Sequence, residues 1–280
     1  MDKIDISKLT PLKKGKVKNI YNIDESKILF EFSDRVSAFD VVLPSDIPGK
    51  GEILCKFASF WFNYLETPNH MIEVIKPNLM IVKRLEIIPI EFIVRGYLYG
   101  GLYDRVKKGE VSVEIEPLLG AELPTPIFDP TTKSDTKDAQ ITVEQIISEK
   151  ILTEEEIKHL EELSMEIYLK MKNKALESGL IICDLKMEFG KDENGKIILV
   201  DSIGPDEFRL WSKDKYEVGQ VQESFDKQIV RDWLIEEGYK KRIDDAIKEK
   251  KDIPQPPAIP EDIISKVNRR YIEAYELLTG

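Results

Sequence analysis

The sequence has 280 residues, with 41 basic and 52 acidic side chains and a formal net charge of −11. At about 150 residues per domain this length predicts one large or two modest domains, and the acidic balance argues against a protein that coats nucleic acid. A composition of 42% hydrophobic and 33% charged residues is typical of a folded globular chain. No apolar run reaches the ~18 residues of a membrane span, and the N-terminus shows no secretory pattern. We therefore expect a cytoplasmic protein that does not bind membranes.

The first 95 residues are dominated by strand patterns. Two short apolar segments, 17–23 and 27–32, flank an Asp-Glu-Ser turn and predict a hairpin. Residues 52–65 carry apolar side chains at helical spacing. Further strands are expected at 71–75, 79–85 and 91–95.

Helices become more frequent after residue 95. Two capping boxes, each a threonine followed three residues later by Gln or Glu, begin at Thr142 and Thr153, and Gly179 fits the end of the second helix. Further helices are expected at 224–237 and, after a proline-rich linker, at 261–278.

These elements predict a two-lobed protein of the α+β or α/β class. A small antiparallel β-rich lobe would cover residues 1–84, and a larger α/β lobe would cover residues 85–280. The cleft between two such lobes is the default position for a binding site.

The segment 180–190 combines an apolar face with a charged face. Alternate side chains of a strand share a face, so Asp184, Lys186 and Glu188 are expected on one side. Cys183, Leu185, Met187 and Phe189 are then expected on the other side, in the core. The alternative interpretation of the charged side is an exposed sheet face on which charges alternate harmlessly.

A tight turn after this strand predicts a metal site. Asn194-Gly195 is typical of a two-residue hairpin turn, which would place Glu188 directly opposite Asp201 with Cβ atoms ~5 Å apart. Like charges this close repel each other, and Mg²⁺ is the ion typically held by one or two carboxylates together with substrate phosphates. Asp206 and Arg209 follow closely in sequence and are expected near the cation.

Other polar segments are weaker signals when each is taken alone. Gly15 lies among lysines beside the first strand, where glycine lets backbone amides approach a phosphate, although the Walker pattern is absent. Arg95, at a strand end beside glycines, suits a phosphate, a carboxylate or a surface ion pair. The segments 32–40 and 128–138 are typical of ligand-binding loops or of ordinary solvated turns.

The scarce cysteines and histidines restrict the chemistry. The only ones are Cys55, Cys183, His70 and His159. A disulfide framework is excluded, and a four-ligand zinc site would need all four residues, which show no paired spacing. Both histidines lie in polar local sequence and are expected at the surface. Catalysis would therefore depend on carboxylates, lysines, arginines and a hard metal ion.

The ordered set of motifs resembles the SAICAR synthetase (phosphoribosylaminoimidazole-succinocarboxamide synthase) family of purine biosynthesis. The most specific motif is Asp-x-Lys-x-Glu-Phe-Gly at 184–190, and the resemblance spans about residues 12–233. The matching segments are 15–21, 33–40, 94–97, 131–135, 184–190, 205–211 and 226–233. The resemblance implies an ATP-grasp-like fold and a ligase that forms a C–N bond.

The implied reaction joins L-aspartate to the carboxylate of CAIR, 5-amino-1-(phosphoribosyl)imidazole-4-carboxylate, and gives SAICAR, ADP and phosphate. Phosphorylation by ATP would convert the carboxylate into an acyl phosphate with a good leaving group. Phosphoryl transfer needs positioning and charge neutralisation more than a covalent nucleophile. A chain with few cysteines and histidines suits such a reaction.

Carried over by position, the resemblance assigns roles to residues of this sequence. It implies that ATP contacts Gly15, Lys16, Lys18 and the segment Val82, Lys83 and Leu85. It implies Mg²⁺ on Glu188 and Asp201, in agreement with the hairpin argument. It implies that Lys186, Arg95, Asp206 and Arg209 surround the imidazole nucleotide. The expected catalytic groups are Lys186, Asp184 and Asp206, and the sequence leaves both Asp184 and Asp206 as candidates for the base that deprotonates the aspartate amine. The implied substrate contacts are Arg95, Arg209, Lys133, Ser134, Asp135, Ser37 and Asp40.

Three positions depart from the family pattern. Ser202 stands where the family often has glutamate, so any role of that glutamate is unfilled. Gly101 stands where many members have serine, which removes a hydroxyl contact to the nucleotide phosphate. Lys137 stands where a histidine is common. None of the three removes a metal ligand.

Two other functions fit part of the pattern. A small-molecule or protein kinase would share the lysines and the paired acidic ligands, but the glycine-rich, His-Arg-Asp and Asp-Phe-Gly motifs of protein kinases are absent. A nucleotide sensor without catalysis is disfavoured by the intact Asp184, Lys186 and Glu188 set. For the assembly we expect a homo-oligomer, with a dimer favoured.

Overall fold

The computed structural model describes residues 4–133 and 139–280. Its N-terminal strands are β1 Thr10–Lys14, β2 Lys18–Asn22, β3 Lys27–Phe32, β4 Arg35–Ala38, β5 Val41–Asp46, β6 Met71–Lys76 and β7 Leu79–Lys83. An antiparallel sheet has the order β1-β2-β3-β7-β6, and β4 and β5 form a separate ribbon. The expected hairpin of β2 and β3 is confirmed.

The turn between β1 and β2 depends on Gly15. Its amide donates to the carbonyl of Lys18 at 2.7 Å, and a Cβ at residue 15 would lie 2.9 Å from the same oxygen. A larger residue would therefore force the two strands apart. Arg35 closes the turn from the other side, since its guanidinium donates to the Gly15 carbonyl at 2.9 Å. The turn fixes the position from which Lys16 and Lys18 project.

Helix α1, Lys50–Leu65, covers this sheet and begins two residues before the predicted start. The Asp34 carboxylate accepts the amides of Gly49 at 3.1 Å and Gly51 at 2.9 Å, so an upstream side chain caps the helix. Glycine is required at 51 because a Cβ there would collide with the Phe32 carbonyl. The cap and this close approach hold the first turn of α1 against the end of β3.

The second sheet is built around one long strand. Its strands are β8 Glu86–Ile87, β9 Ile90–Tyr97, β10 Glu122–Phe128, β11 Thr131–Thr132, β12 Leu180–Lys191, β13 Ile197–Val200 and β14 Phe208–Ser212. The order is β10-β9-β12-β13, with β11 paired to β9 and with β8 and β14 paired to β12. All of these pairings are antiparallel. Side chains of β12 therefore have neighbours on both sides.

Helices cover the second sheet and its edges. They are α2 Gly100–Lys107, α3 Val143–Ser148, α4 Glu154–Glu177, α5 Gln228–Glu236, α6 Tyr239–Lys248 and α7 Glu261–Thr279. Both predicted capping boxes are confirmed, at Thr142 and Thr153. Helix α4 contacts β12 where the Tyr168 hydroxyl donates to the Ile182 carbonyl at 2.9 Å.

The start of α5 differs from the prediction of a helix from residue 224. The Asp226 carboxylate accepts the amide of Leu210 at 2.7 Å and that of Gln228 at 2.6 Å. These bonds tie residues 224–227 to β14 in a non-helical conformation. The helix therefore begins only at Gln228, with Asp226 satisfying one of its first amides.

One apolar core joins the two sheets. Phe32 of the first sheet, Phe92 and Phe189 of the second, Trp61 of α1 and Tyr271 of α7 are all buried in it. The fold is mixed α/β with antiparallel sheets, in agreement with the expected class. The boundary at residues 84 and 85 stays a prediction. Within the two described ranges, no helix has both the length and the apolar character needed to span a membrane.

Candidate active site

The turn after β12 is longer than predicted. The Asp192 carboxylate accepts the amides of Asn194 and Lys196, both at 2.9 Å. The Asp192 amide in turn donates to the Lys196 carbonyl at 3.1 Å, which leaves three residues in the loop. Gly195 supplies the left-handed conformation that such a loop needs, at φ 76°. The predicted two-residue turn is therefore wrong.

The longer turn shifts the register of the hairpin by one residue. Glu188 pairs with Val200, so the predicted direct pairing of Glu188 with Asp201 is wrong. Asp201 follows the end of β13 in a left-handed conformation, at φ 66°. The charges of Glu188 and Asp201 nevertheless both act on the ammonium groups of Lys133 and Lys186. Both carboxylates therefore lie within electrostatic range of the same two lysines, and a metal site shared by Glu188 and Asp201 stays a prediction.

Lysines neutralise this carboxylate pair. Lys18 forms an ion pair with Asp201, and Lys133 forms one with Glu188. Burial alone would raise the pKa of the Asp201 carboxyl, but the ammonium groups of Lys18, Lys186 and Lys133 hold it well below its usual range. Asp201 is therefore ionised at neutral pH.

Lys186 lies in the middle of the charged face of β12. Its ammonium is 2.6 Å from Glu91 and 3.5 Å from Glu188. Burial disfavours its charge, but the carboxylates of Glu188, Glu91 and Asp201 raise the pKa of Lys186 above its ordinary value. Lys186 is therefore a cation that can neutralise developing negative charge and cannot act as a base.

A further carboxylate, Glu207, lies close to Lys18. The Lys18 ammonium donates to the Ser202 hydroxyl at 2.9 Å, and that hydroxyl donates to Glu207 Oε1 at 3.3 Å. Burial raises the pKa of Glu207 to about 7, and the Asp206 and Asp201 carboxylates add to this shift while Lys18 opposes it. Glu207 is not among the site residues predicted from the sequence.

At the other end of the charged face, Asp184 lies between arginines of the two neighbouring strands. It pairs with Arg95 on β9 and with Arg209 on β14. Its carboxylate is 3.3 Å from Arg95 Nη1 and forms an ion pair with Arg209. Arg95 also pairs with Asp129, to which Arg105 donates at 2.6 Å. The expected substrate contacts Arg95 and Arg209 are thus held in one network of alternating charge.

Asp206 lies in a separate buried cluster. Its carboxylate accepts bonds from Lys50 at 2.8 Å and from the Tyr271 hydroxyl at 2.9 Å. The side chains of Lys50 and Asp206 are 0% and 2% exposed. Lys227 lies 4.0 Å from Asp206, and burial lowers the pKa of Lys227 to about 8. Asp206, expected near the cation, thus contacts Lys50 of α1 and Tyr271 of α7. The adjacent Glu207 contacts Ser202, the residue after Asp201.

The predicted phosphate contacts differ in exposure. Lys16 lies 2.5 Å from Asp40, with side chains 44% and 51% exposed. The Lys18 side chain is only 11% exposed, and its ammonium lies 5.2 Å from the centre of the Phe30 ring. The expected ATP contact Lys16 and the expected substrate contact Asp40 therefore touch each other at the surface, whereas Lys18 reaches the interior.

The remaining predicted contacts are placed less centrally. Val82 is buried in β7, and the Lys83 amide donates to the His70 carbonyl at 2.8 Å. Leu85 is half-buried just after β7. Ser37 is buried in β4. Ser134 and Asp135 lie outside the described residues.

His70 is buried, so its predicted surface position is wrong, whereas His159 is exposed as expected. The His70 ring packs edge-on against Phe30 and Phe62, and its Nε2 donates to the Asp201 carbonyl at 3.0 Å. Burial lowers the pKa of His70 to about 4, so the ring is neutral. The polar residues around it misled the sequence argument because the loop folds inward between two aromatic rings.

Comparisons with known proteins agree with the motifs. The family model for SAICAR synthetase matches residues 11–246. The chain belongs to the SAICAR synthetase family. A phosphoribosylaminoimidazole-succinocarboxamide synthase of Nitrosopumilus maritimus is 52% identical over 271 residues, which cover 96% of this chain and 98% of that protein.

Solved structures of SAICAR synthetases share the fold. The Saccharomyces cerevisiae enzyme, solved in complex with SAICAR, has a TM-score of 0.82 at 34% identity and covers 97% of this chain and 95% of its own. A type-2 SAICAR synthetase in complex with ADP has a TM-score of 0.73 at 29% identity, with coverages of 96% and 97%. Family membership confirms the resemblance and the expected enzyme class, a ligase of purine biosynthesis.

The structure adds partner charges that the SAICAR synthetase motifs alone do not reveal. Lys50, Glu91 and Asp129 each neutralise a predicted site residue, and Glu207 accepts a hydrogen bond from Ser202, which contacts the predicted site residue Lys18. Glu91 carried a usable signal, because it lies four positions before Arg95 on the same predicted strand and so on the same face. Asp129 and Glu207 lie in the segments 128–138 and 205–211 that the sequence singled out, but nothing there indicated their partners, and Lys50 had no local pattern.

Proposed function

We propose that this chain catalyses the ATP-dependent ligation of L-aspartate to the carboxylate of CAIR, giving SAICAR, ADP and phosphate. The observation that carries the proposal is the charged face of β12, on which Asp184, Lys186 and Glu188 follow one another. Arginines surround one end of this face, and a carboxylate pair with lysines occupies the other. The SAICAR and ADP found in the solved relatives support the same product and nucleotide.

ATP would bind between the first sheet and β12. The Gly15 turn and the lysines Lys16 and Lys18 project from the edge of the first sheet, and Lys18 reaches Asp201. The phosphates would lie against these groups, with the adenine beside the segment Val82, Lys83 and Leu85. Such binding would correspond to the two-lobed, ATP-grasp-like arrangement that we propose, with lobes at 1–84 and 85–280.

Glu188 and Asp201 have the chemistry of a Mg²⁺ site. Among the residues that the structure describes, no group of three or more His, Cys, Asp or Glu side chains is arranged to hold a metal ion. Two carboxylates suffice for Mg²⁺, which takes its other ligands from water and substrate phosphates. Bound there, Mg²⁺ would neutralise charge on the transferring phosphoryl group. Lys18 and Lys133, which now pair with the carboxylates, would turn to the phosphates.

CAIR would bind at the arginine end of the charged face. Arg95 and Arg209 each use part of their fork of donors on Asp184, which leaves other N–H groups for the phosphate or carboxylate of the nucleotide. Glycine at residue 100 lets the Arg209 guanidinium lie close to the backbone, since a Cβ there would lie 2.7 Å from Arg209 Nη2. Lys133, Ser37, Asp40, Ser134 and Asp135 stay proposed substrate contacts.

The reaction would proceed in two steps. An oxygen of the CAIR carboxylate attacks the γ-phosphorus of ATP and ADP leaves, which gives an acyl phosphate. The aspartate amine then attacks the carbonyl carbon, the C–N bond forms, phosphate leaves and the nitrogen loses a proton. Lys186 stabilises negative charge in both steps because it stays protonated. Asp184 and Asp206 both stay candidates for the proton acceptor.

A coupled assay tests the function. ADP release is measured with ATP and Mg²⁺ in the presence of CAIR, L-aspartate, both or neither, and the product is identified by mass spectrometry. The proposal requires SAICAR and stoichiometric ADP only with all substrates present. A phosphorylated product that needs no aspartate would indicate a kinase, and nucleotide binding without product would indicate a sensor. Sedimentation of the same sample tests the proposed homodimer.

A further inference from the structure

Glu207 is a half-buried carboxylate that the reaction described above does not use. Its backbone is fixed at both ends, since its amide donates to the Gly204 carbonyl at 2.9 Å and its carbonyl accepts the Lys186 amide at 2.8 Å. The residue is therefore held where β14 pairs with β12. Its side chain contacts Ser202, which in turn contacts Lys18.

The hydrogen bonds between these side chains have a fixed direction. The Lys18 ammonium can only donate, so the Ser202 oxygen accepts its bond at 2.9 Å. The single hydroxyl hydrogen of Ser202 is then left for Glu207 Oε1, at 3.3 Å. Glu207 thereby orients the hydroxyl so that its lone pairs face Lys18.

We infer that Glu207 is a positioning residue that, through Ser202, keeps the Lys18 ammonium aimed at the ATP phosphates. The inference rests on the proposed function, because the contribution of Glu207 increases when Asp201 binds Mg²⁺. Asp201 is the direct partner of Lys18 in this structure, and a carboxylate that takes up a cation binds an ammonium less strongly. Ser202 and Glu207 are then the groups that hold Lys18 in place.

Lys18 needs such a partner because little water reaches it. Its side chain is 11% exposed, and its ammonium lies over the Phe30 and Phe32 rings. A desolvated ammonium without an acceptor would turn toward solvent. Ser202 itself carries a hydroxyl and no carboxylate, and Glu207 supplies a carboxylate on the far side of that hydroxyl.

The test exchanges the two side chains. Glu207→Ser removes the carboxylate, Ser202→Ala removes the hydroxyl, and the double variant Ser202→Glu with Glu207→Ser returns a carboxylate from the other position. Binding of Mg²⁺-ADP is measured by calorimetry, together with KM for ATP and for CAIR. We expect each single variant to raise the Kd for Mg²⁺-ADP about tenfold, the effect of one charge-assisted hydrogen bond. We expect the double variant to bind Mg²⁺-ADP within about threefold of the original chain, and KM for CAIR to stay unchanged.

A matched control separates positioning from stability. Glu156→Ser removes an ion pair with Lys191 and one bond of the α4 capping box, far from Lys18 in the chain. It should lower Tm without changing the Kd for Mg²⁺-ADP. If Glu207→Ser behaves like this control, with a lower Tm and an unchanged Kd, the inference is wrong. It is also wrong if the double variant is folded and binds no better than Glu207→Ser.

The outcome also distinguishes this inference from the proposed function. Mg²⁺-ADP binding needs no ligation, so a chain that makes no SAICAR but loses ADP affinity in Glu207→Ser contradicts only the proposed function. A chain that makes SAICAR and keeps its ADP affinity in both single variants contradicts only the role of Glu207. Should the double variant unfold, the two single variants decide, because both must raise the Kd.

Discussion

The two ends of the candidate site are built from the same kinds of charge in opposite environments. At the β1–β2 turn, Lys16 and Asp40 pair at the surface, with about half of each side chain exposed. On β12, Asp184 and Glu188 are buried, and each is paired with cations from other strands or loops.

This difference shows which charges the fold itself depends on. Solvent screens an exposed pair, which contributes ~0–1 kcal/mol to stability. Removing one partner of a buried pair leaves an uncompensated charge and costs about 3–5 kcal/mol. Substitutions on β12 should therefore affect both folding and function, and those at the β1–β2 turn should affect function alone.

The largest effect is expected for Glu188→Ala. It removes one of the two carboxylates proposed to hold Mg²⁺ and leaves Lys133 without its partner. We expect turnover to fall by at least about a hundredfold, the loss seen when one electrostatic contact to a transition state is removed. The measurements are kcat in the coupled assay and Mg²⁺ binding by calorimetry, with circular dichroism to show that the chain is folded.

A matched variant sharpens the Glu188 result. Glu193→Ala removes a glutamate from the exposed loop of the same hairpin and should leave kcat unchanged. Near-normal turnover in folded Glu188→Ala would contradict the metal assignment, whatever the family likeness implies.

Arg95→Ala should come next. It leaves the buried carboxylates of Asp129 and Asp184 with fewer counter-charges, and we expect the free energy of unfolding to fall by about 3 kcal/mol. It should also raise KM for CAIR more than it lowers kcat, because Arg95 is proposed to bind the nucleotide. Chemical denaturation and steady-state kinetics measure the two effects.

Arg95→Lys is the informative companion of Arg95→Ala. It keeps the charge and loses the planar fork that reaches two carboxylates at once. If Arg95→Lys keeps the free energy of unfolding of the original chain but still has a raised KM for CAIR, the planar guanidinium of Arg95 contacts the substrate. Full recovery of both would mean that charge alone matters at residue 95.

The sequence predicted the charged face of β12 because strand alternation is a local property. Asp184, Lys186 and Glu188 share a face as expected. The register of the hairpin was missed by one residue because a carboxylate, that of Asp192, captures two loop amides and lengthens the turn. Side chains that compete for backbone amides in this way leave no periodic signal.

The partners of the charged face were beyond a local argument. Lys50 reaches Asp206 across 156 positions of sequence, and Lys18 reaches Asp201 across 183. Only the packing of α1 and of the first sheet against the segment between β13 and β14 brings these charges together. Motif order identified the family, therefore, but tertiary structure was needed to show which charge neutralises which.

Gly101→Ser tests the edge of the arginine cluster and should have a smaller effect. A Cβ at residue 101 meets no atom within 4 Å, so serine fits at the start of α2 without strain. If the nucleotide phosphate lies at this end of β12, the added hydroxyl should lower KM for CAIR by up to about tenfold, the effect of one hydrogen bond. Gly101→Ala is the control, since it adds the Cβ without the donor and should leave KM unchanged.

The smallest change in stability is expected at the β1–β2 turn. Lys16→Met breaks the exposed pair with Asp40, and the free energy of unfolding should change by less than about 0.5 kcal/mol. KM for ATP should nevertheless rise, because the proposed phosphate contact is lost, and Asp40→Asn should leave KM for ATP unchanged, since it keeps the lysine. A loss of stability from Lys16→Met as large as that from Arg95→Ala would contradict the contrast between the two ends of the site. Equal burial of the charges at both ends would then be the simpler account, because only buried charges make folding depend on their partners.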